Sequence, residues 1–158
     1  SRLQDPPEKV LFADGKWVVS PGGGAVAEVA DDAVYFALSV RNVGTGIAVL
    51  HGWHFTPRRL SGGEPHADVD DFRRLTRDIY VPAGDTGFWQ GALRDPADDA
   101  FKAARAAIEA LDQLTVDVLY GDHEGGQRVI TQFALIPHDD RWITATSRHW
   151  NVDRPDPR

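Results

Sequence analysis

The sequence predicts a mainly β protein, an antiparallel two-sheet β-sandwich with one α-helix inserted between its strands. Apolar residues alternate with small or polar ones in several runs, most regularly over 33–41, and this period of two is typical of strands. Turn-forming residues separate these runs at intervals of roughly 8 to 15 residues. Only 96–112 shows extended helical spacing. Short strands joined by turns, together with one helix, are typical of a sandwich whose crossover carries that helix.

The chain is long enough for one domain with a hydrophobic core. It has 158 residues, of which 42% are hydrophobic, and this suits a globular domain rather than a disordered chain. We expect a flexible lead-in over 1–8, a single domain over 9–153 and an extended tail over 154–158. No Met occurs, even at position 1. We therefore expect a processed or truncated product that has lost a start residue, a signal peptide or a membrane anchor.

Composition excludes several classes of function. The net charge of −7 argues against a nucleic-acid partner, because binding to phosphates needs a basic surface. The chain has no Cys, which excludes disulfides, thiolate catalysis and Cys-ligated zinc or iron–sulfur centres. No apolar run approaches the ~20 residues that a membrane-spanning helix needs.

Two glycines separate the most regular strand from the next apolar run. The strands are predicted over 33–41 and 47–55, and Asn42-Val43-Gly44-Thr45-Gly46 lies between them. A dinucleotide-binding loop needs a third glycine and a following helix, and this stretch has neither. We predict a hairpin turn in which the glycines supply backbone with positive φ and Asn42 bonds the turn. An earlier hairpin is predicted over 10–19, around an Asp-Gly pair.

Two helices are predicted, one before and one after the middle of the chain. A short helix is expected near 68–75, behind Asp68 as its N-cap, because apolar residues recur there every three positions. The longer helix, over about 96–112, has Asp95 as the expected N-cap and Pro96 at its first position. Its expected apolar face consists of Phe101, Ala104, Ile108 and Leu111.

Five further strands are predicted, two between the two helices and three after the longer helix. Two are expected over 77–81 and 86–93, on either side of a Pro-Ala-Gly-Asp turn. Three more are expected over 114–120, 128–136 and 141–152. In the first of these three, alternation turns Leu114, Val116, Val118 and Tyr120 inward and Thr115 and Asp117 outward.

Two stretches resemble known bacterial domains. The run VYFALSVRNVGTGIAVLHGW, with its Asn-x-Gly turn and a small residue at Ala48, resembles bacterial immunoglobulin-like sandwich domains. DVLYGDHEGGQRVITQFALIP and RHWNVD are similar to soluble domains of uncharacterised bacterial proteins, many of which follow an N-terminal membrane segment. The resemblance implies an immunoglobulin-like sandwich from a bacterial protein, attached to a membrane only through a segment absent from this chain. It supplies no catalytic residues.

Several histidines and acids are candidates for metal binding. The turns Asp122-His123-Glu124 and His138-Asp139-Asp140 lie at opposite ends of one predicted strand, roughly 30 Å apart, so they cannot share an ion. His51 and His54 point to opposite faces of their strand, and His51 is expected in the core beside Trp53. The best local set is His66, Asp68 and Asp70. A helix cap with solvated acids explains the same residues, so we assign no metal and no cofactor.

Two further groups of residues are candidates for binding. A basic group could bind a phosphate or a carboxylate if its members converge. It comprises Arg58, Arg59, Arg73, Arg74 and Arg77. Near the C-terminus, an exposed Trp150 beside Arg148 and His149 would indicate a partner surface. Trp89 and Trp142 are expected in the core or in a groove.

These observations predict a non-enzymatic interaction or structural module with a protein partner, forming the soluble part of a larger bacterial protein. One alternative is a domain that binds a small anion or other small ligand through the arginine group. The other is a hydrolase with a spatially assembled site. No serine lies in a Gly-x-Ser-x-Gly elbow, but catalytic triads are defined by geometry rather than by chain order. We assign no catalytic residue.

Overall fold

A computed structural model describes most of the chain. The described residues are 3–4, 8–11, 17–20, 24–42, 44, 46–58, 65–84, 86–122, 127–139 and 141–153. Within them lie eleven β-strands, one α-helix and one short 3-10 helix. The strands are β1 (Leu3–Gln4), β2 (Glu8–Leu11), β3 (Trp17–Ser20), β4 (Gly24–Val29), β5 (Val34–Asn42), β6 (Ala48–Thr56), β7 (Arg73–Val81), β8 (Thr86–Leu93), β9 (Leu114–Asp122), β10 (Val129–His138) and β11 (Arg141–Asn151). The helix α1 spans Asp99–Glu109, and the 3-10 helix spans Val69–Asp71.

Nine of the strands form one antiparallel sheet that nearly closes into a barrel. The hydrogen-bonded order is β7-β6-β9-β10-β11-β4-β5-β8, and β1 adds to β5. The end strands β7 and β8 contact each other. The strands β2 and β3 form a separate hairpin. The predicted mainly β, antiparallel protein with one α-helix is confirmed. The two-sheet immunoglobulin-like arrangement is not confirmed, because one path of paired strands runs from β7 to β8.

Large apolar side chains fill the interior of this sheet. The rings of Phe36 and Phe55 lie 5.2 Å apart, as do those of Trp53 and Trp89. Trp89 is fully buried, as the sequence predicts for a core residue. The buried residues of α1 join the same core cluster, so the helix packs against the interior. Aromatic pairs at these separations add stability beyond their buried area.

The helix is shorter than the predicted 96–112, and its cap differs. Asp98, not Asp95, is the N-cap, and its Oδ1 accepts from Ala100 N at 2.9 Å. Asp95 instead accepts from Ala97 N in the turn before the helix. Leu111 has a φ of 56° and is 62% exposed. Its left-handed backbone ends the helix, so the prediction that Leu111 belongs to the apolar face is wrong.

The short helix predicted near 68–75 is reduced to the 3-10 turn Val69–Asp71. Asp68 caps it as predicted, since its side chain accepts from Asp70 N. The chain then enters β7 at Arg73, which pairs with Trp53 of β6. The second half of the predicted helix is therefore the beginning of a strand. No strand was predicted for Gly24–Val29, which is β4.

The glycine turn after β5 is confirmed as a turn, but it does not close a hairpin. The strand β5 pairs with β1, β4 and β8, whereas β6 pairs with β7 and β9. Asn42 Nδ2 donates to Gly46 O at 2.6 Å and to Val81 O at 2.9 Å, and its Oδ1 accepts from Gly44 N. Gly46 has no positive φ, and the three hydrogen bonds of the Asn42 side chain hold this connection in place.

The predicted lead-in contains a strand, and the predicted tail lies outside the described residues. The two-residue strand β1, Leu3–Gln4, lies inside the predicted lead-in and pairs with Arg41 and Asn42. The predicted tail, 154–158, lies outside the described residues. In the part of the chain that the structure describes, no helix has the length and hydrophobicity to cross a membrane.

Candidate functional site

A row of polar side chains crosses four neighbouring strands on the outside of the sheet. In register, His54 of β6 lies opposite Asp117 of β9, Asp117 opposite Gln132 of β10, and Gln132 opposite Arg148 of β11. The sequence neighbours of Asp117, Val116 and Val118, belong to the core. Because side chains alternate along a strand, this row faces away from the core, as the sequence predicts for Asp117.

Residues 65–72, named here the cover segment, lie across the outside of these strands. The ring of His66 lies 5.5 Å from that of Trp150 on β11, and the ring of Phe72 lies 5.6 Å from that of His54 on β6. The strands β9 and β10 lie between β6 and β11, so the segment crosses over both. Asp117, on β9, is only 2% exposed although it faces away from the core.

Asp117 is an incompletely bonded buried carboxyl. Its side chain hydrogen-bonds Gln132, while Oδ1 has no hydrogen-bond partner among the described residues. Burial raises the pKa of Asp117 to about 6, although the Gln132 bond and the positive charge of His66 act in the opposite direction. A buried charge without full hydrogen bonding is costly, so the protonated carboxyl is favoured up to that pH.

His54, opposite Asp117, is a second incompletely bonded group. It is half-buried, and its Nδ1 has no hydrogen-bond partner in the described part of the chain. Burial lowers the pKa of His54, Asp71 raises it and Arg73 lowers it. A buried imidazole with a lowered pKa favours its neutral form, so His54 adds little positive charge beside the carboxyl.

At the β11 end of the row, an aromatic ring is held between two cationic or basic side chains. The guanidinium of Arg148 lies 4.8 Å from the ring centre of Trp150, and His66 meets the same ring edge-on. Arg148 is exposed and Trp150 is half-buried. An arginine stacked on tryptophan gains a cation–π attraction that holds both side chains in place. We name Arg148, Trp150 and His66 the stack surface.

The third residue of the predicted partner surface faces the other way. His149 Nδ1 lies 2.8 Å from Thr131 Oγ1, which in turn lies 2.7 Å from the Tyr120 hydroxyl. Tyr120 and Thr131 are fully buried. His149 is therefore part of an internal polar chain, and the outer surface is formed by Arg148 and Trp150.

The structure divides the predicted arginine group. Arg73 forms an ion pair with Asp98 at 3.0 Å and lies 5.9 Å from the ring centre of Trp53. Arg74 follows it along β7 and so points to the opposite face. The backbone carbonyl of Arg58 accepts from Thr115 Oγ1. Arg59 lies outside the described residues, and for Arg77 the structure describes only the backbone.

The predicted metal candidates have other contacts. His66 Nδ1 lies 2.7 Å from Ala67 O, and Asp68 accepts from Asp70 N at the 3-10 helix. His138 lies 3.7 Å from Asp139, while His123, Glu124 and Asp140 lie outside the described residues. Among the residues that the structure describes, no three His, Asp or Glu side chains are grouped to hold a metal ion.

Sequence reasoning did not select Asp117 or Gln132 as site residues. The available signal was an acid in the middle of an otherwise apolar strand, LTVDVLYG. Alternation explains such an acid as a solvated outward residue. Its burial is set by the tertiary fold, which brings the cover segment, about 50 positions away in the chain, to this face of the sheet.

Comparisons with known proteins assign no family. No protein-family model matches the chain, and no curated protein matches it. A solved structure described as that of a protein from Archaeoglobus fulgidus is similar over 82% of this chain and 94% of its own length. The sequence identity is 12% and the TM-score is 0.30. Similarity at that level assigns neither a fold family nor a function.

Proposed function

We propose that this chain is a non-enzymatic interaction module that binds a protein partner through the stack surface. The observation that carries the proposal is the Trp150 ring, held between Arg148 and His66 on the outside of β11. Tryptophan and arginine are the residue types that most often dominate the binding energy of protein interfaces. A stacked pair is also ordered before binding, which lowers the entropic cost of association.

The charged residues around the stack surface support the proposal. Asp68, Asp70 and Asp71 are exposed on the cover segment, and Arg148 is exposed on β11. An aromatic centre with a charged rim is typical of protein interfaces. We expect the partner segment to carry a carboxylate near Arg148, because arginine side chains recognise carboxylates through paired N–H donors.

The buried acid supports binding rather than catalysis. A catalytic carboxyl must reach its substrate, and the carboxyl of Asp117 is 2% exposed under the cover segment. The proposed anion site of the arginine group is also less favoured, because Arg73 is already paired with Asp98. The resemblance to bacterial domains supports the further proposal that this domain is the soluble part of a larger bacterial protein.

The test compares the proteins captured by immobilised wild-type chain with those captured by three variants. Trp150→Ala and Arg148→Ala remove the stack. Arg141→Ala is the matched control, because Arg141 is exposed at the other end of β11. A bacterial lysate supplies candidates, and each protein retained is purified and titrated against all four chains.

The proposal expects a partner whose affinity falls at least roughly tenfold for Trp150→Ala and Arg148→Ala and stays unchanged for Arg141→Ala. Thermal unfolding of each variant checks that the fold is retained. A partner that binds all four chains equally would place its site elsewhere and overturn the proposed surface. Failure of wild-type chain to retain any protein at micromolar concentration would overturn the proposed function.

A further inference from the structure

The cover segment lies directly over a row of apolar residues next to Asp117. In register, Gly52 of β6 lies opposite Leu119 of β9, Leu119 opposite Ile130 of β10, and Ile130 opposite Trp150 of β11. Phe72 Cβ approaches the Gly52 position, where an added Cβ would lie 3.6 Å away, and His66 meets Trp150. The two ends of the cover segment thus mark the two ends of this row. Leu119 is 6% exposed and Ile130 is fully buried.

Asp117 lies two positions from Leu119 on the same face of β9, at the side of this covered row. Ionisation would leave a negative charge there with Oδ1 lacking a partner among the described residues. A buried polar atom that gains a charge without gaining a bond favours any movement that admits water. Among the described residues, the cover segment connects β6 and β11 across the face on which this carboxyl lies.

Each element next to Asp117 contributes polar or charged groups. The strand β6 contributes His54, β10 contributes the neutral Gln132, and β11 contributes Arg148 at the end of the row. On the cover segment they are His66, Asp68, Asp70 and Asp71. Of these charged groups, His66 acts on the pKa of Asp117, and its positive charge favours the ionised carboxyl. The three acids place further negative charge on the segment that an ionised Asp117 would face.

We propose that the cover segment is a proton-controlled cover, held closed over β9 and β10 while Asp117 is protonated and loosened when Asp117 ionises. Opening moves His66 away from Trp150, so the stack surface exists in its closed form at mildly acidic pH and is remodelled at mildly basic pH. This consequence for partner binding rests on the proposed function. The movement of the cover does not, and it can be measured without a partner.

The size of the effect follows from the difference between the two states. When the cover is closed, the pKa of Asp117 is about 6. When the cover is open and the carboxyl is in water, the ordinary value of 3.8 applies. Opening is then expected to become roughly tenfold more favourable between pH 5 and pH 8.

The absence of Cys from the chain allows a single thiol to report the opening. Leu119→Cys places that thiol under the cover, and its labelling by 4,4′-dithiodipyridine is timed at pH 5 and pH 8. The same thiol is placed in an Asp117→Asn background, which cannot ionise, and in an Asp112→Asn background. Asp112 is exposed and serves as the matched control. At each pH, the labelling rate of Leu119→Cys is divided by the rate of the same thiol in the Asp117→Asn background. This ratio removes the pH dependence of the thiol itself.

The proposal expects the labelling rate of Leu119→Cys, relative to the Asp117→Asn background, to rise roughly tenfold from pH 5 to pH 8. The Asp112→Asn background should behave as the parent does. A ratio that stays constant overturns the proposal. A second thiol at Ala104, which is fully buried on α1, reports opening of the whole domain. Because ionisation of Asp117 favours global unfolding as well, the two thiols are compared by rate: if Leu119→Cys is labelled no faster than Ala104→Cys at pH 8, the movement is global and the cover is not a separate element.

Discussion

Replacing Asp117 with Asn is expected to stabilise the folded chain above about pH 6. Burial raises the pKa of this carboxyl from 3.8 to about 6, a difference of about two pKa units. Each unit corresponds to about 1.4 kcal/mol of differential interaction. The ionised carboxylate therefore costs the folded state about 3 kcal/mol relative to the unfolded chain. An asparagine side chain has the same shape and carries no charge, so it removes this penalty.

The sign of the pH dependence follows from the raised pKa. Below pH 3.8 the carboxyl is protonated in both states and costs nothing. Between pH 3.8 and about pH 6 the unfolded chain loses its proton first, so stability falls as pH rises through this window. Above it, the penalty is constant. The Asn side chain loses the charge-assisted part of the bond to Gln132, and this reduces the net gain to about 1–3 kcal/mol at pH 8.

Urea unfolding at pH 4 and pH 8 measures the prediction directly. At pH 4 the two chains should differ by less than about 1 kcal/mol, and the dependence on urea should be equal, because the area exposed on unfolding is unchanged. The exposed Asp112→Asn variant controls for removing one negative charge from a chain of net charge −7. An Asp117→Asn chain that is no more stable than the parent at pH 8 would refute the reasoning. So would an equal gain at both pH values.

Three further substitutions test the packing and the turn. Gly91→Ala should destabilise the chain by about 1–3 kcal/mol, because its Cβ would lie 2.7 Å from the Trp89 ring. Gly46→Ala, whose Cβ meets an ordinary contact at 3.6 Å, is its control in the same urea experiment. Asn42→Ala should cost about 2–4 kcal/mol in thermal or urea unfolding, since three hydrogen bonds of a buried side chain are lost. Tyr120→Phe should cost about 1–2 kcal/mol by removing the bond to Thr131, whereas Tyr80→Phe, at a 59% exposed position, should be neutral.

Local patterns in the sequence predict the elements better than their ends. The alternation over 33–41 identifies β5, and its apolar set Val34, Phe36, Leu38 and Val40 lies in the core as predicted. In β6 the same reasoning places His51 in the core beside Trp53. The structure instead exposes His51, because the register shifts between Leu50 and Gly52. Before this shift, residues on both faces of the strand are apolar. The sequence pattern therefore does not show the position at which side chains switch from one face of the sheet to the other.

Long-range pairing accounts for the remaining differences in the fold. Apolar residues recur every three positions over 68–75, and a helix over this stretch is a reasonable local solution. The chain leaves it because Arg73 and Arg74 pair with the edge of β6, and tertiary contacts routinely override local propensity. The connection after Asn42 was predicted as a hairpin for a similar reason. A short connection between two strands usually indicates that they pair with each other. The structure instead pairs β5 with β4 and β8 and pairs β6 with β7 and β9, so β5 and β6 are not neighbours in the sheet.

The candidate site shows where prediction from sequence ends. Trp150 and Arg148 could be selected in advance, because residues two apart on a strand share a face and because Trp and Arg are enriched among the residues that dominate protein interfaces. Asp117 was assigned correctly to the outer face, but its unusual chemistry comes from burial, not from orientation. His66 and Phe72 contact strands β11 and β6, on either side of the strands that carry Asp117 and Gln132. The predicted metal candidate His66 and the predicted partner residue Trp150 thus contact each other. The acid on β9 lies between those strands, and burial, against the opposing charge of His66, raises its pKa to about 6.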